Sequence, residues 1–209
     1  MAAGITNLDL FPEPPPEVLS GQGPAIAVLA GGCFWCTEAV FRELEGVYSV
    51  VSGYSGGDAG SANYEAVCSG RTAHAEAIQI EYDPARIRYG QILKVFFSVA
   101  HDPTQRNRQG ADRGPQYRSA VFYGTPVQQQ LALAYIRRID EAAVLPGPIV
   151  TEVVPLEQFY PAEDYHQEYA SRNPQNPYIS LIARPKLEKL RSHFGTWLGR
   201  DVPEAPDQK

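Results

Sequence analysis

Residues 25–46 read AIAVLAGGCFWCTEAVFRELEG, and their order decides the fold. Ala25 to Ala30 is continuously apolar, the pattern of a short strand covered on both faces. Gly31-Gly32 breaks that run. From Phe34 to Leu44 the apolar residues Ala39, Val40 and Leu44 recur at helical spacing, and Gly46 closes the segment. A buried strand that turns through two glycines into a helix puts Cys33 and Cys36 at the helix start. Unpaired amide donors and the positive end of the helix dipole favour a thiolate there. With a reference pKa of ~8.5 only about 3% of a thiol is ionised at neutral pH, and a downward shift of roughly two units makes the thiolate the major form. The expectation is therefore that Cys33 ionises easily and acts as a nucleophile. Cys36, one turn later, faces the same side. Helical i, i+3 Cβ atoms lie about 5–6 Å apart against the ~4 Å of a disulfide, a gap that a tightened first turn can close.

Working outward, Val47 to Tyr54 reads as a second strand, ended by Ser55-Gly56-Gly57-Asp58. Glu76 to Tyr82 alternates as a third, stopped by Asp83-Pro84. Tyr89 to Ala100 is predicted as an amphipathic helix with Ile92, Leu93, Phe96 and Phe97 inward. His101 to Tyr117 is long, polar and glycine-containing, which marks a candidate functional loop. Arg118 to Tyr123 resumes strand character. Thr125-Pro126 caps a helix to about Ala143, with Val127, Leu131, Ala134 and Tyr135 on one side, and Ile149 to Pro155 is a last strand. The order β-α-β-β-α-β with a further α-β is that of an α+β, split βαβ, ferredoxin-like core. Leu187, Leu190, Phe194, Trp197 and Leu198 form a helical stripe expected to pack on the body. The expected organisation is a flexible proline-rich arm over residues 1–24, a catalytic domain over 25–183, and a C-terminal helix and tail over 184–209.

The 209 residues suffice for one domain with a real core, and the 44% hydrophobic content agrees. Eighteen Lys and Arg against 24 Asp and Glu leave a charge of −6, which argues against a nucleic acid or an anionic membrane as partner. Three cysteines (Cys33, Cys36, Cys68) are too few, and odd, for a disulfide-stapled secreted scaffold. Met1 to Gly23, with Asp9, Glu13, Glu17 and a Pro14-Pro15-Pro16 run, lacks the basic start and apolar stretch of a signal peptide. A cytoplasmic, monomeric protein is expected.

On residues alone the cysteine pair has other uses. Zinc is disfavoured, because His74, His101, His166 and His193 are scattered and no second Cys or His pair exists. Inert packing is the other possibility, and it suits Cys68 best. Glu76 shares a strand face with Ile78, Ile80 and Tyr82, so it points to the apolar side. Its pKa should rise from the reference ~4.3 and make it a proton donor, unless it reaches solvent at the strand end. Phe34 and Trp35 are core aromatics or the walls of an apolar pocket beside the nucleophile. A thioredoxin-like dithiol oxidoreductase is the alternative reading, and a non-catalytic binder a third.

Gly32-Cys33-Phe34-Trp35, Gly53-Tyr54-Ser55-Gly56-Gly57, Asn63 to Gly70, His74-Ala75-Glu76-Ala77 and Tyr82-Asp83-Pro84 stand in an order that resembles the peptide methionine sulfoxide reductase A family. His101-Asp102-Pro103-Thr104, Arg108 to Asp112, Gln116-Tyr117-Arg118-Ser119 and Phe159 to His166 continue the resemblance, which spans about Ala25 to Pro177. It implies reduction of free or protein-bound methionine S-sulfoxide, without metal or cofactor. Position by position, it implies that Cys33 attacks the sulfoxide sulfur, Glu76 protonates its oxygen, and Tyr64 and Tyr117 hold that oxygen. Phe34 and Trp35 would wall in the methyl group, with Asp112 a polar residue nearby. A thiolate and a neutral carboxylic acid are needed together, because sulfoxide oxygen leaves poorly until protonated. Cys33 would end as a sulfenic acid, to be condensed with a second thiol. Two departures matter. Cys36 stands where many members have glycine, and no cysteine follows Cys68 to do the recycling that late cysteines do elsewhere. Cys36 is therefore expected to resolve the sulfenic acid, with thioredoxin or a similar dithiol as external reductant. Ala73, where glycine is usual, is a third departure without a predicted effect.

Overall fold

In the computed structural model, which describes residues 8–17 and 23–199, the apolar run after Pro24 is strand β1 (Ala25–Gly31). It turns into helix α1 (Phe34–Arg42), and the chain returns as β2 (Val47–Ser55). A polar loop and the short helix α2 (Tyr64–Cys68) lead to β3 (Ala75–Tyr82) and α3 (Tyr89–Val95). A small hairpin of β4 (Arg108–Gln109) and β5 (Asp112–Arg113) precedes β6 (Ser119–Tyr123) and α4 (Pro126–Ala142). Then come β7 (Glu152–Pro155), β8 (Phe159–Pro161), α5 (Tyr169–Arg172) and α6 (Arg184–His193).

One six-stranded sheet has the order β7-β6-β1-β3-β2-β8, so the architecture is mixed α+β, as expected. Only β6 and β7 run parallel. β1 and β2, joined by α1, lie on either side of β3, and β3 and β6 flank β1. Alternation sorts the strand residues between two faces. Ala27, Leu29, Val50, Ile78 and Ile80 join Val40 and Phe41 of α1 and Ile92 and Leu93 of α3 in the main core. Val28, Ala30, Ala75, Ala77, Ala120 and Phe122 form a smaller cluster on the other face.

The turn from β1 into α1 needs both glycines. A Cβ on Gly31 would come within 2.9 Å of the Phe96 ring and 3.1 Å of His101. Gly32 has φ +85°, and a Cβ there would lie 2.6 Å from Gln109. His101 is itself fixed: its Nδ1–H donates to the Phe96 carbonyl, which leaves Nε2 to accept from Ser119.

Several expectations change in detail. The helix from Tyr89 is not uniform to Ala100, because its last turn, Phe96–Ala100, widens into a π-helical turn. There the Ser98 hydroxyl donates back to the Lys94 carbonyl, and His101 takes that of Phe96. On α4 Val127 is exposed, and Gln128 turns inward with Leu131, Ala132, Tyr135 and Ile139. Gln128 holds that place by accepting from Gly124 N–H and donating to the Ile26 carbonyl. The last strand is shorter than expected and β8 was not anticipated. The C-terminal stripe packs on the body, with Leu190 and Phe194 buried and Leu198 bridging to Leu44.

The proline-rich arm, expected as a flexible coil, makes contacts with the body where it is described. Residues 8–17 lie across α3 and α4, with Leu8 and Phe11 buried and Phe11 edge-on to Tyr135. Tyr135 donates to the Pro12 carbonyl, Lys94 pairs with Glu13, and Gly90 N–H donates to Glu17. Two apolar anchors outweigh the coil tendency of the prolines. Residues 1–7, 18–22 and 200–209, which complete the two expected arms, lie outside the described residues.

Candidate active site

Where β1 meets α1, a cavity of about 80 Å³ is lined by Cys33, Phe34, Trp35, Tyr64, Glu76, Asp112, Tyr117 and Tyr178. Every expected site residue except Cys36 is among them. Cys36 stands one turn along α1, 1% exposed, packed with Ala170, Ile179 and Ala183.

Glu76 comes from β3, where it lies opposite Tyr54 of β2 and on the face of Ile78 and Ile80, as alternation predicts. It is 2% exposed. Its Oε2 accepts the Phe34 N–H at 3.0 Å, so the carboxyl occupies the first amide of α1. Burial, the dominant cause, raises its pKa to about 8 against the pull of that amide. At pH 7 about ten molecules hold the proton for each that has lost it. With Oε2 engaged by the amide, Oε1 is the oxygen left to carry a proton.

The cysteine pair differs from the expectation. Cys33 is the residue before the helix and its side chain makes no hydrogen bond to the helix amides. Glu76 has taken the first of them. Burial pushes the Cys33 thiol up, and Cys36 and Glu76 push it further. Cys36 moves the other way, to about 7, chiefly through the hydrogen bond from Cys33 and against burial, helped by Lys186 and Tyr178. Cys33 was expected to ionise easily at the helix start, but the dipole is useful only to a group that reaches the amides, and its side chain does not.

The aromatic walls are oriented from outside the cavity. Trp35 Nε1–H donates to His166 Nδ1 at 3.1 Å, so the imidazole proton sits on Nε2. His166 is 1% exposed, and burial lowers its pKa. Tyr169 stacks on Trp35 at 3.8 Å and 11°, while Tyr178 stands edge-on to it. The Tyr178 hydroxyl donates to Asp112 Oδ2. Burial first, then Cys68, pushes the Tyr64 hydroxyl up; burial first, then Glu76, does so for Tyr117. Both therefore keep the proton they would donate. Glu163 accepts the Tyr64 N–H and the Tyr54 hydroxyl, each at 2.9 Å, which places α2 at the cavity. A soft nucleophile, a neutral acid and two hydroxyl donors around an apolar wall suit attack on a polarised sulfur whose oxygen must leave protonated.

Sequence reasoning missed Tyr178, which lies just beyond the last block read for the resemblance, and undervalued His166. It also missed Glu163, Gln167 and Glu38, which hold the chain around His166. The available signal was burial: Glu38 sits at the helical position facing inward, and it is 1% exposed. Among the described residues no group of three His, Cys, Asp or Glu side chains is placed to hold a metal ion. No helix there is long and apolar enough to cross a membrane.

Comparison with known proteins places this site in context. The family model described as peptide methionine sulfoxide reductase matches residues 25–197, further than the sequence blocks alone extend. The chain is 52% identical over 179 residues to peptide methionine sulfoxide reductase MsrA 2 of Synechocystis, covering 86% of this chain and 84% of that protein. It is 50% identical to the MsrA of Thermus thermophilus, covering 83% and 97%. Among solved structures it is similar to the methionine sulfoxide reductase A of Corynebacterium diphtheriae, with TM-score 0.65, 35% identity and coverage of 79% and 84%. The reduced form of Mxr1 from Saccharomyces cerevisiae gives 0.67, 34%, 73% and 87%.

Proposed function

The chain belongs to the peptide methionine sulfoxide reductase family, and on that premise we propose that Cys33 attacks the sulfur of methionine S-sulfoxide, free or protein-bound, while Glu76 protonates its oxygen. The enzyme is a peptide-methionine (S)-S-oxide reductase, an oxidoreductase acting on sulfur. Tyr64 and Tyr117 donate hydrogen bonds to the departing oxygen. Phe34 and Trp35 receive the methyl group, and Asp112, bonded to Tyr178, borders the site. The oxygen passes to Cys33, so that thiol and sulfoxide become sulfenic acid and thioether. Cys36 then attacks the Cys33 sulfenic acid, which releases water and leaves a Cys33–Cys36 disulfide. A dithiol reductant of the thioredoxin kind returns both thiols.

The observation that carries this reading is the single 80 Å³ cavity into which Cys33, Glu76, Tyr64 and Tyr117 all open. A dithiol oxidoreductase has no use for the Tyr64 and Tyr117 hydroxyls that open with Glu76 into the same cavity. The strand order β6-β1-β3-β2 supports the split βαβ, ferredoxin-like description of the core.

Anaerobic reduction of the two methionine sulfoxide epimers with dithiothreitol tests the proposal. The wild type should reduce the S epimer, and Cys33→Ser neither. Equal rates on both epimers, or full activity in Cys33→Ser, would overturn it. Peptide mapping after one turnover should find Cys33 joined to Cys36; a Cys33–Cys68 bridge would remove Cys36 from the resolving role.

A further inference from the structure

The two sulfurs of the pair stand in different surroundings. Cys33 is half-buried and lines the 80 Å³ cavity. Cys36 is 1% exposed and closed in by Ala170, Ile179 and Ala183. A larger groove of about 490 Å³ runs behind it, but Ala39, Ala170 and Ile179, which line that groove, are among the side chains packed around Cys36. Cys36 itself is not among the residues that line the groove. A thiolate opens a disulfide by attacking one sulfur along the bond, so it needs a clear approach to that sulfur. Among the described residues only Cys33 offers one. The cavity shape also suits the visitor: a pocket that takes a thioether sulfur with its methyl group takes the CH₂–S of a cysteine in the same place.

Resting on the Cys33–Cys36 disulfide proposed above, we propose that the dithiol reductant enters through the substrate's own cavity and attacks Cys33 Sγ, so that sulfoxide and reductant exclude one another. The reductant thiolate forms a bond to Cys33 Sγ, the Cys33–Cys36 bond breaks, and Cys36 leaves with the electron pair as a thiolate. The second thiolate of the reductant then attacks its own bridged sulfur and expels Cys33 as a thiolate, so the reductant is oxidised by two electrons. Cys36, whose pKa lies near 7, is the better leaving group of the two. A reductant that docked at the rear groove would instead attack Cys36.

The test uses the wild-type chain oxidised with methionine sulfoxide, and its bridge is mapped first. Absence of a Cys33–Cys36 bridge at this stage overturns the earlier reading, and with it this one. The mapped disulfide is then treated with thioredoxin whose second active-site cysteine is replaced by serine, and the mixed disulfide is digested. The expected adduct is on Cys33, with Cys36 a free thiol. An adduct on Cys36, or none from a protein carrying the mapped bridge, overturns the shared entrance. In steady state, kcat/KM for thioredoxin should fall as methionine sulfoxide is raised. A kcat/KM independent of sulfoxide, as separate entrances give, counts against the proposal.

Discussion

The two sides of the cavity are built differently. Cys33, Phe34 and Trp35 leave the end of β1, and Glu76 leaves β3, its antiparallel neighbour, so continuous backbone ladders hold the groups placed to react. The opposite side, residues 163–178, is held by single side chains. Gln167 accepts from Ser52 N–H and donates to the Ser52 and Ala162 carbonyls; Glu38 accepts the Glu168 N–H; Asn176 donates to Tyr169. Ladder bonds share load along a strand, whereas these contacts act one side chain at a time. The ladder side should therefore govern the chemical step, and the bolted side the fit of the substrate.

The largest effect should come from the ladder side. Glu76→Gln keeps an acceptor for Phe34 N–H and removes the proton donor, so kcat should fall by about 10²–10⁴, the usual worth of a positioned acid. In the wild type the rate should decline above pH about 8, where Glu76 ionises. Stability follows the same proton. The folded pKa is raised above the ordinary 4.5, so the contribution is full below 4.5 and is lost as pH climbs toward 8. The slope in that window reaches about 1.4 kcal/mol per pH unit for one proton. Urea unfolding at pH 5 and 8.5 should show the loss in the wild type and not in Glu76→Gln. Parallel behaviour of the two would mean that the carboxyl does not hold its proton in the cavity.

A smaller and different effect is expected from the bolted side. Gln167→Ala strands the N–H of the fully buried Ser52, whose carbonyl keeps the Ala162 N–H, at a cost of about 1–3 kcal/mol for the group left unpaired. The next residue back, His166, positions the Trp35 indole, so KM should rise about tenfold while kcat changes little, in keeping with loss of uniform binding. A fall in kcat with KM unchanged would break the division between the two sides.

The same division decides what was legible in the sequence. Groups on regular elements announce themselves through periodicity. The apolar run, the two glycines and the helical spacing located Cys33 and Cys36, and alternation put Glu76 on the inner face. The bolted side has no period: its residues are polar, they act one at a time, and Tyr178 meets Asp112 across 66 positions of chain. Charge at the site was legible only in part. Burial of Glu76 followed from its neighbours, but that Glu76 would take the Phe34 amide, leaving Cys33 without helix support, depends on a contact between elements 42 residues apart. The contacts of the arm were not legible for a related reason. Its prolines describe the local chain, while Leu8 and Phe11 act through surfaces on α3 and α4.

Cys68→Ser should have the smallest effect, and it probes the seam between the two sides. Cys68 ends α2, half-buried, and its thiol hydrogen-bonds to Tyr64; it does not line the cavity. Burial, first, pushes its pKa up, which makes it a poor nucleophile beside Cys36 at about 7. A serine oxygen can still accept the Tyr64 hydroxyl proton that Cys68 accepts. Turnover with dithiothreitol and with thioredoxin should therefore stay within about twofold, and stability within about 1 kcal/mol. Loss of the thioredoxin rate with the dithiothreitol rate intact would identify Cys68 as a recycling thiol. The disulfide would then join Cys33 to the end of α2, and Cys36 would have no part in recycling.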